Sequence, residues 1–152
     1  MSIKNYKSSM NDRIIQFLKK QTCATICCTD EVGNPYCFSC YYSFNKTNGL
    51  LYFKSCADAL HSRLLKKNPL IAGTVLPDTL SKLITRGLQF QGELLEECHP
   101  LSIDAFKNYH IRHPLAIGFK GEVFIIQINE IKMTDSSLGF GKKIAWQREK
   151  VG

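Results

Sequence analysis

Short apolar segments separated by turn-forming residues recur along this chain. Residues 23–29, 35–44 and 50–54 are rich in β-branched, aromatic, cysteine and other apolar side chains, and each has the length of a strand. Asn48 and Gly49 lie between the second and third segments, and both residues tolerate the positive φ that a tight hairpin turn requires. We therefore predict that the three segments form an antiparallel meander.

The same pattern predicts further strands in the second half of the chain. Residues 70–76, 84–95 and 122–133 are apolar runs of strand length bounded by turn formers or charged residues. Gly87 and Gly92 interrupt the middle run, which predicts bulges or bends at those positions. Strands joined by short turns, with helices inserted rather than alternating, favour an antiparallel β-barrel with peripheral α-helices over a doubly wound sheet.

Three segments have helical signals. A capping box at residues 9–12 and an apolar stripe predict an N-terminal helix over residues 11–20. Ser55 is a candidate cap for a second helix, which ends at an Asn-Pro dipeptide. Residues 102–113 predict a third helix. The C-terminal tail, residues 134–152, fits neither a helix nor a strand.

The composition is that of one globular domain spanning residues 1–152. Hydrophobic residues make up 44% and charged residues 22% of the chain, which excludes a disordered protein. No apolar run approaches the ~20 residues that cross a bilayer, so we expect a soluble, cytoplasmic protein without a membrane partner. The net charge of +7 is spread along the chain, which favours a small anionic ligand. No strand interleaves basic and stacking side chains, so a nucleic-acid-binding barrel is disfavoured.

The seven cysteines indicate a reducing compartment, because their number is odd and no secretory signal precedes them. Cys37 and Cys40 have the spacing of a metal or redox motif. Residues three apart on a strand point to opposite faces, however, and no second pair of suitable spacing accompanies them. We therefore predict no metal site.

The junction between the third strand and the second helix gathers cationic and hydroxyl groups. Lys54, Ser55, His61, Ser62 and Arg63 lie around the start of that helix. A helix N-terminus offers unpaired N–H groups and the positive end of its dipole, so the junction is a candidate phosphate site. The alternative is a solvated basic face that only covers the barrel.

Several motifs resemble the FMN-binding split-barrel superfamily of pyridoxamine 5′-phosphate oxidase-like proteins. The strand-to-helix run LYFKS…HSRLLKKNPLIAGTV (51–55 and 61–75) has the pattern of that superfamily, and residues 87–92 match its Gly-x-Gln-x-x-Gly strand. Residues 85–93, 129–135 and 137–143, with Trp146, are more closely similar to the uncharacterised YhbP-like subgroup. The likeness covers residues 11–148.

The resemblance implies a homodimer of six-stranded antiparallel split barrels that binds two FMN molecules in clefts between the subunits. By the resemblance, the phosphate would be held by Lys54, Ser55, His61 and Ser62. Many superfamily members have Lys where this chain has His61. Neutral His carries no charge, so the resemblance implies weaker and more pH-sensitive FMN binding.

The resemblance also implies contacts to the flavin ring. Ser39, Cys40 and Tyr41 would lie along the isoalloxazine edge, and Gln89 would reach the flavin. Trp146, in the tail, would close the cleft from the partner chain.

The implied function is that of an FMN-dependent oxidoreductase with an unknown substrate and electron donor. Members with pyridoxamine oxidase activity are longer and have a basic substrate-binding tail that is absent here. No nucleophile, acid or base stands out, and a flavin protein needs none because the cofactor carries the electron chemistry. The alternatives are a flavin carrier or sensor, and a haem-binding or haem-degrading barrel whose ligand would come from His61, His99, His110 or His113.

Overall fold

The computed structural model describes residues 9–139 and 141–150. Seven strands lie within this part of the chain: β1 (Cys23–Thr29), β2 (Pro35–Asn45), β3 (Leu50–Ser55), β4 (Leu70–Val75), β5 (Arg86–Leu94), β6 (Glu122–Asp135) and β7 (Lys143–Gln147). The α-helices there are α1 (Asp12–Lys20), α2 (Leu60–Lys67) and α3 (Ala105–Arg112), and single 3₁₀ turns span Pro100–Ser102, Pro114–Gly118 and Ser136–Leu138. Phe140 of the tail motif lies outside the described residues, as do residues 1–8 and 151–152.

The strands form one antiparallel sheet in the order β3-β2-β1-β4-β5-β6-β7, and pairing of β3 with β6 closes it into a six-stranded barrel. The long strand β6 makes this closure possible. Its first half pairs with β3 from Glu122 to Gln127, and its second half pairs with β7 from Glu130 to Thr134. The predicted fold class, a mainly β antiparallel barrel with peripheral helices, is confirmed.

Two apolar cores hold the barrel and its helices together. The larger core fills the barrel and includes Ile26, Phe53 and Ile126, none of which is accessible to solvent. The smaller core lies between the outside of β3 and helix α3, and it includes Tyr52 from β3 and Tyr109 from α3. Strand β3 is therefore covered on both faces, which explains its unbroken apolar run.

The glycine positions agree in part with the prediction. Gly49 has a φ of 63°, as the predicted hairpin turn between β2 and β3 requires. The register of β5 and β6 shifts between Gln91 and Gly92, which confirms a bulge there, and a Cβ on Gly92 would collide with the Gln127 carbonyl oxygen. Gly87 sits in a regular pair with its partner on β6, so the register shows no bulge at Gly87.

The ends of the helices differ from the predicted caps. Asn11, rather than Ser9, caps α1, because its Oδ1 accepts a hydrogen bond of 2.9 Å from the Arg13 N–H. Helix α2 begins five residues after Ser55, which belongs to β3, and no side chain caps it. Helix α3 begins at Ala105, later than predicted.

The described residues of the tail contain regular structure that the sequence did not predict. Residues 134 and 135 complete β6, and Lys143–Gln147 forms the edge strand β7 against it. The strand has only five residues, and among the described strands it pairs with β6 alone. Five residues are too few to show a clear alternation in the sequence. No helix in the described residues is long and apolar enough to span a bilayer.

Candidate functional site

In the described part of the chain, the first half of β2 has a neighbouring strand on one side only. It pairs with β1 from Pro35 to Tyr41, whereas pairing with β3 is confined to residues 42–45. Strand β3 turns away because its last residues pair with β6 instead. An opening therefore lies between the edge of β2 and the end of β3, and the backbone along this edge lacks a ladder partner.

Backbone groups of alternate residues on β2 point into this opening. The Tyr42 N–H donates to the Thr22 carbonyl at 3.1 Å, so the backbone groups of Tyr42 face β1. Antiparallel strands alternate with a period of two, so Ser39 and Tyr41 direct their N–H and C=O groups the other way, into the opening. Within the described residues, neither makes a backbone hydrogen bond across it. The edge thus presents donors and acceptors to a planar ligand.

His61 and Ser55 form the end of the opening nearest to helix α2. The His61 ring stacks on Phe38 with a centroid distance of 3.9 Å and an interplanar angle of 12°. Its Nε2 lies 2.6 Å from the Ser55 hydroxyl oxygen. Burial lowers the pKa of His61, so the imidazole is neutral at pH 7. A neutral imidazole and a hydroxyl can together contact an anionic group without an ion pair.

Lys54 and Ser62 are held by other parts of the protein. Lys54 points to the opposite face of β3, towards α3, where its Nζ donates to the Ala116 carbonyl at 2.8 Å and lies 3.1 Å from His110 Nε2. Ser62 is fully buried, and its hydroxyl donates to the Cys56 carbonyl at 2.7 Å. Of the four predicted phosphate ligands, the structure therefore brings Ser55 and His61 to the opening and holds Lys54 and Ser62 in internal hydrogen bonds.

The side chains of Cys40 and Tyr41 lie on opposite faces of β2. Cys40 contacts the barrel core, and burial raises the pKa of its thiol to about 12. Tyr41 is 59% exposed, and its ring centroid lies 5.7 Å from that of His113. The structure therefore places Tyr41 beside the opening through both its backbone and its side chain, while the Cys40 thiol faces away from it.

The outer face of the sheet carries a groove of about 720 Å³ that crosses β1, β4, β5 and β6. Two rows of register partners form this groove face. One row is Ser39, Thr25, Thr74, Gln89, Lys132 and Ala145, and the other is Cys37, Cys27, Ala72, Gln91, Glu130 and Gln147. Apart from Ser39 and Gln89, sequence reasoning did not select these residues for a site. Exposed and buried side chains alternate along each strand, and the sequence can show this. Only the register shows which exposed side chains of neighbouring strands lie side by side.

Gln89 lies far from the β2 edge within the same chain, and Trp146 packs on the barrel core. Two strands separate Gln89 from Ser39 in its row, so three interstrand steps of ~4.8 Å place them roughly 14 Å apart along the sheet. Trp146 pairs with Ile131 and packs against the barrel core, and the Arg148 guanidinium lies 5.5 Å from its ring centroid. The resemblance implies that Trp146 closes the cleft of the partner chain, and within its own chain Trp146 already contacts the core.

Solved structures of low sequence identity share the fold. A haem-binding protein from Mycobacterium smegmatis superposes with a TM-score of 0.72 at 13% identity, over 86% of this chain and 55% of that one. An FAD-binding protein from Mesorhizobium loti superposes with a TM-score of 0.65 at 13% identity, over 83% of this chain and 94% of that one. These neighbours show that the chain has a split-barrel fold.

Sequence relatives identify the family, although no model of a known protein family matches the chain. The UPF0306 protein plu4501 from Photorhabdus laumondii is 34% identical over 135 residues, which cover 89% of this chain and 94% of that protein. The UPF0306 protein YhbP from Escherichia coli O127:H6 is 35% identical over 135 residues, which cover 89% of this chain and 96% of that protein. The chain therefore belongs to the UPF0306, YhbP-like family.

Proposed function

We propose that the opening between β2 and β3 binds FMN and that the protein is a flavin-dependent oxidoreductase. The observation that carries the proposal is the unpaired edge of β2 beside the Ser55–His61 pair. The ring edge of a flavin needs a row of donors and acceptors, and the backbones of Ser39 and Tyr41 offer such a row. FMN, when bound, supplies the electron chemistry, and the chain supplies binding and orientation.

Ser55 and His61 suit the phosphate end of this ligand. The Ser55 hydroxyl can donate to a phosphate oxygen, and a nearby anion favours protonation of the neutral His61 imidazole. Lys54 and Ser62 act here as supporting residues, because they fix the carbonyl groups of Ala116 and Cys56 around the junction. FMN binding should consequently strengthen as the pH falls towards the pKa of His61.

A second copy of the chain completes the site in this proposal. Gln89 is too far from Ser39 along the sheet to contact the same ring from its own subunit. The groove face has the composition of an interface centre, since Glu130 and Lys132 are the only charged residues among the described residues that line it. A homodimer packed over the groove face would bring the partner's Gln89 and the partner's Trp146 towards the flavin.

The assembly can be measured directly. Light scattering in solution should give twice the 17.3 kDa mass of the chain. Thr74→Arg places a cation in the middle of the groove face, so it should shift the mass towards 17.3 kDa and weaken FMN binding at the same time. Thr79→Arg, in an exposed turn outside the groove, is the matched control. A monomeric wild-type protein that binds FMN at full strength would contradict the dimer.

Haem is the second candidate ligand. One of the similar structures is a haem-binding protein and another is an FAD-binding protein, and both ligands contain a planar ring system. His61 favours haem specifically, because its lowered pKa keeps the imidazole in the neutral form that ligates iron. No histidine lines the groove itself.

Titration of the purified protein distinguishes the two ligands. We expect FMN to bind with one equivalent per chain and with quenched fluorescence, and riboflavin, which lacks the phosphate, to bind at least tenfold more weakly. We expect haemin to give no sharp Soret band. A Soret shift that His61→Ala abolishes, without FMN binding, would support haem instead.

The redox activity needs its own measurement. With FMN bound, reduction by NADH, NADPH or dithionite should bleach the flavin, and oxygen should restore its colour. Tight FMN binding with no bleaching by any of these reductants would leave a carrier or sensor role in place of an oxidoreductase.

A further inference from the structure

Cys27 and Cys37 face each other across the first two strands. They are direct register partners in the antiparallel pair of β1 and β2. Because Tyr42 directs its backbone groups towards β1, Cys37, five residues earlier, directs its own away. The two cysteines therefore form a non-hydrogen-bonded pair, in which Cα atoms are ~4.5 Å apart and the side chains approach most closely. Disulfides span Cα distances of ~4.4–6.8 Å, so a bond can form here without rebuilding the backbone.

The pair lies where a small molecule in the groove can reach it. Both residues line the groove, with Cys37 exposed and Cys27 partly buried. Thr25 and Ser39, the next pair along the same strands, have their hydroxyl oxygens 3.5 Å apart, so the face beside the thiols is polar. A hydrogen bond with the Cys37 thiol, followed by burial and the charge of Cys37, raises the pKa of Cys27.

The other cysteines in the sheet lack such a partner. Cys23 lies opposite Tyr41, Cys28 lies opposite Tyr36, and Cys40 lies opposite an alanine. No group of three or more potential ligands among His, Cys, Asp and Glu occurs in the described residues, so the pair is not part of a metal centre there.

We propose that Cys27 and Cys37 are a dithiol–disulfide redox couple that exchanges with low-molecular-weight disulfides entering the groove. The thiolate of Cys37, the more exposed of the two, attacks one sulfur of the small disulfide. A mixed disulfide forms on Cys37 and one small thiolate leaves. Cys27 then loses its proton to solvent and attacks the Cys37 sulfur, which forms the internal disulfide and releases the second small thiolate.

The overall reaction transfers two electrons from the protein to the small disulfide. One external S–S bond breaks, one internal S–S bond forms, and the two protons of the cysteine thiols end on the two released thiols. The exchange requires no bound cofactor, so it goes beyond the proposed FMN function. It requires an uncovered groove face, so it takes place in the single subunit, before a second copy packs there.

The test uses the full-length protein, diluted until light scattering shows single chains, then reduced and equilibrated with defined mixtures of reduced and oxidised glutathione. Free thiols are trapped with an alkylating reagent and the protein is analysed by mass spectrometry. Trypsin leaves both cysteines in one peptide, because no Lys or Arg lies between them, whereas a protease that cuts at Asp30 or Glu31 separates them. We expect two of the seven thiols to lose their reactivity towards the alkylating reagent together. The fragment with Cys27 and the fragment with Cys37 should stay joined by a disulfide until a reductant is added.

Single variants assign each sulfur to its step. Cys27→Ser should stop the exchange at the mixed disulfide, so that glutathione accumulates on Cys37. Cys37→Ser should leave Cys27 reactive towards the alkylating reagent at every glutathione ratio, since the attacking sulfur is missing. Cys23→Ser, on the same outer face of β1, is the matched control and should retain the link between Cys27 and Cys37.

Two outcomes would overturn the proposal. One is that both thiols of the wild-type protein stay alkylatable in fully oxidised glutathione. The other is that the linked fragments persist in Cys37→Ser, which would place the bond on another cysteine. Because the wild-type measurement involves no substitution, neither result depends on the folding of a variant.

Discussion

The two halves of β2 are similar in sequence and differ in their surroundings. Residues 35–41 and 42–45 are both rich in Tyr, Phe, Ser and other strand-forming side chains. The second half lies beside β3, whereas the first half has β1 on one side and an opening on the other. The difference arises outside β2, at the point where β3 leaves it to pair with β6. A binding edge can therefore form in an ordinary strand when its neighbour turns away.

Proline substitution at Cys40 should weaken the pairing of β2 with β1. The N–H of Cys40 faces β1, so Cys40→Pro removes a ladder bond and leaves a carbonyl on β1 unsatisfied. Relative to Cys40→Ala, which controls for the lost thiol, we expect a free energy of unfolding lower by about 2–3 kcal/mol. Urea unfolding measures this difference. Equal stability of the two variants would mean that the backbone groups of Cys40 face the opening.

Proline substitution at Ser39 should affect the ligand rather than the fold. The N–H of Ser39 points into the opening, so Ser39→Pro removes no ladder bond. Compared with Ser39→Ala, we expect FMN affinity to fall about tenfold, the equivalent of one hydrogen bond of about 1.4 kcal/mol. Fluorescence titration gives the affinity, and urea unfolding should give unchanged stability. Unchanged affinity in a folded Ser39→Pro protein would remove the β2 edge from the proposed site.

Two buried serines should respond in opposite directions. Ser43, in the second half of β2, is 6% exposed, and its hydroxyl has no hydrogen-bond partner within the described residues. Ser43→Ala should therefore raise the free energy of unfolding by about 1 kcal/mol, because an unpaired hydroxyl no longer has to be buried. Ser62→Ala should lower it by about 1 kcal/mol, because the bond to the Cys56 carbonyl is lost. Chemical denaturation of both variants against wild type checks the signs, and a loss of stability in Ser43→Ala would show that its hydroxyl is bonded.

The smallest expected effect is the pH dependence contributed by His61. Burial lowers the pKa of His61 in the folded protein below the ordinary value of 6.5, so the unfolded chain takes up this proton first. The stabilisation is therefore complete above pH 6.5 and declines as the pH falls below that value. Denaturant midpoints at pH 7.5 and pH 5.5 should differ less in His61→Gln than in wild type. An equal difference in the two proteins would mean that His61 is protonated as readily folded as unfolded.

Much of the barrel could be predicted because its signals are local. The alternation and turn residues between 23 and 54 lie next to one another in the chain, and Gly49 has the positive φ that the predicted hairpin turn needs. The Asn-Pro dipeptide likewise ends α2 where the sequence predicted. The failures fell on ends and edges. The cap of α1 and the bounds of β7 could not be predicted, because several residue types fit at a helix end or in a short edge strand.

The candidate site could be predicted only in part, because strand direction decides which side chains meet. Lys54 and Ser55 are adjacent in sequence, yet one points to α3 and the other to the opening. The partner of Lys54, His110, is 56 positions away and cannot be inferred from local pattern. Ser55 and His61 were found because a short connection joins the strand to the helix and keeps them close.

By itself, the sequence determined six of the seven strands in the described residues, the helices, the hairpin turns and the family resemblance, since each rests on side chains within a few positions of one another. The tertiary structure alone decided the register of the sheet. Register depends on contacts between distant segments, and a shift of one residue would move every side chain to the other face. That is why the opening beside β2, the rows of the groove face and the pairing of Cys27 with Cys37 emerged only from the folded barrel.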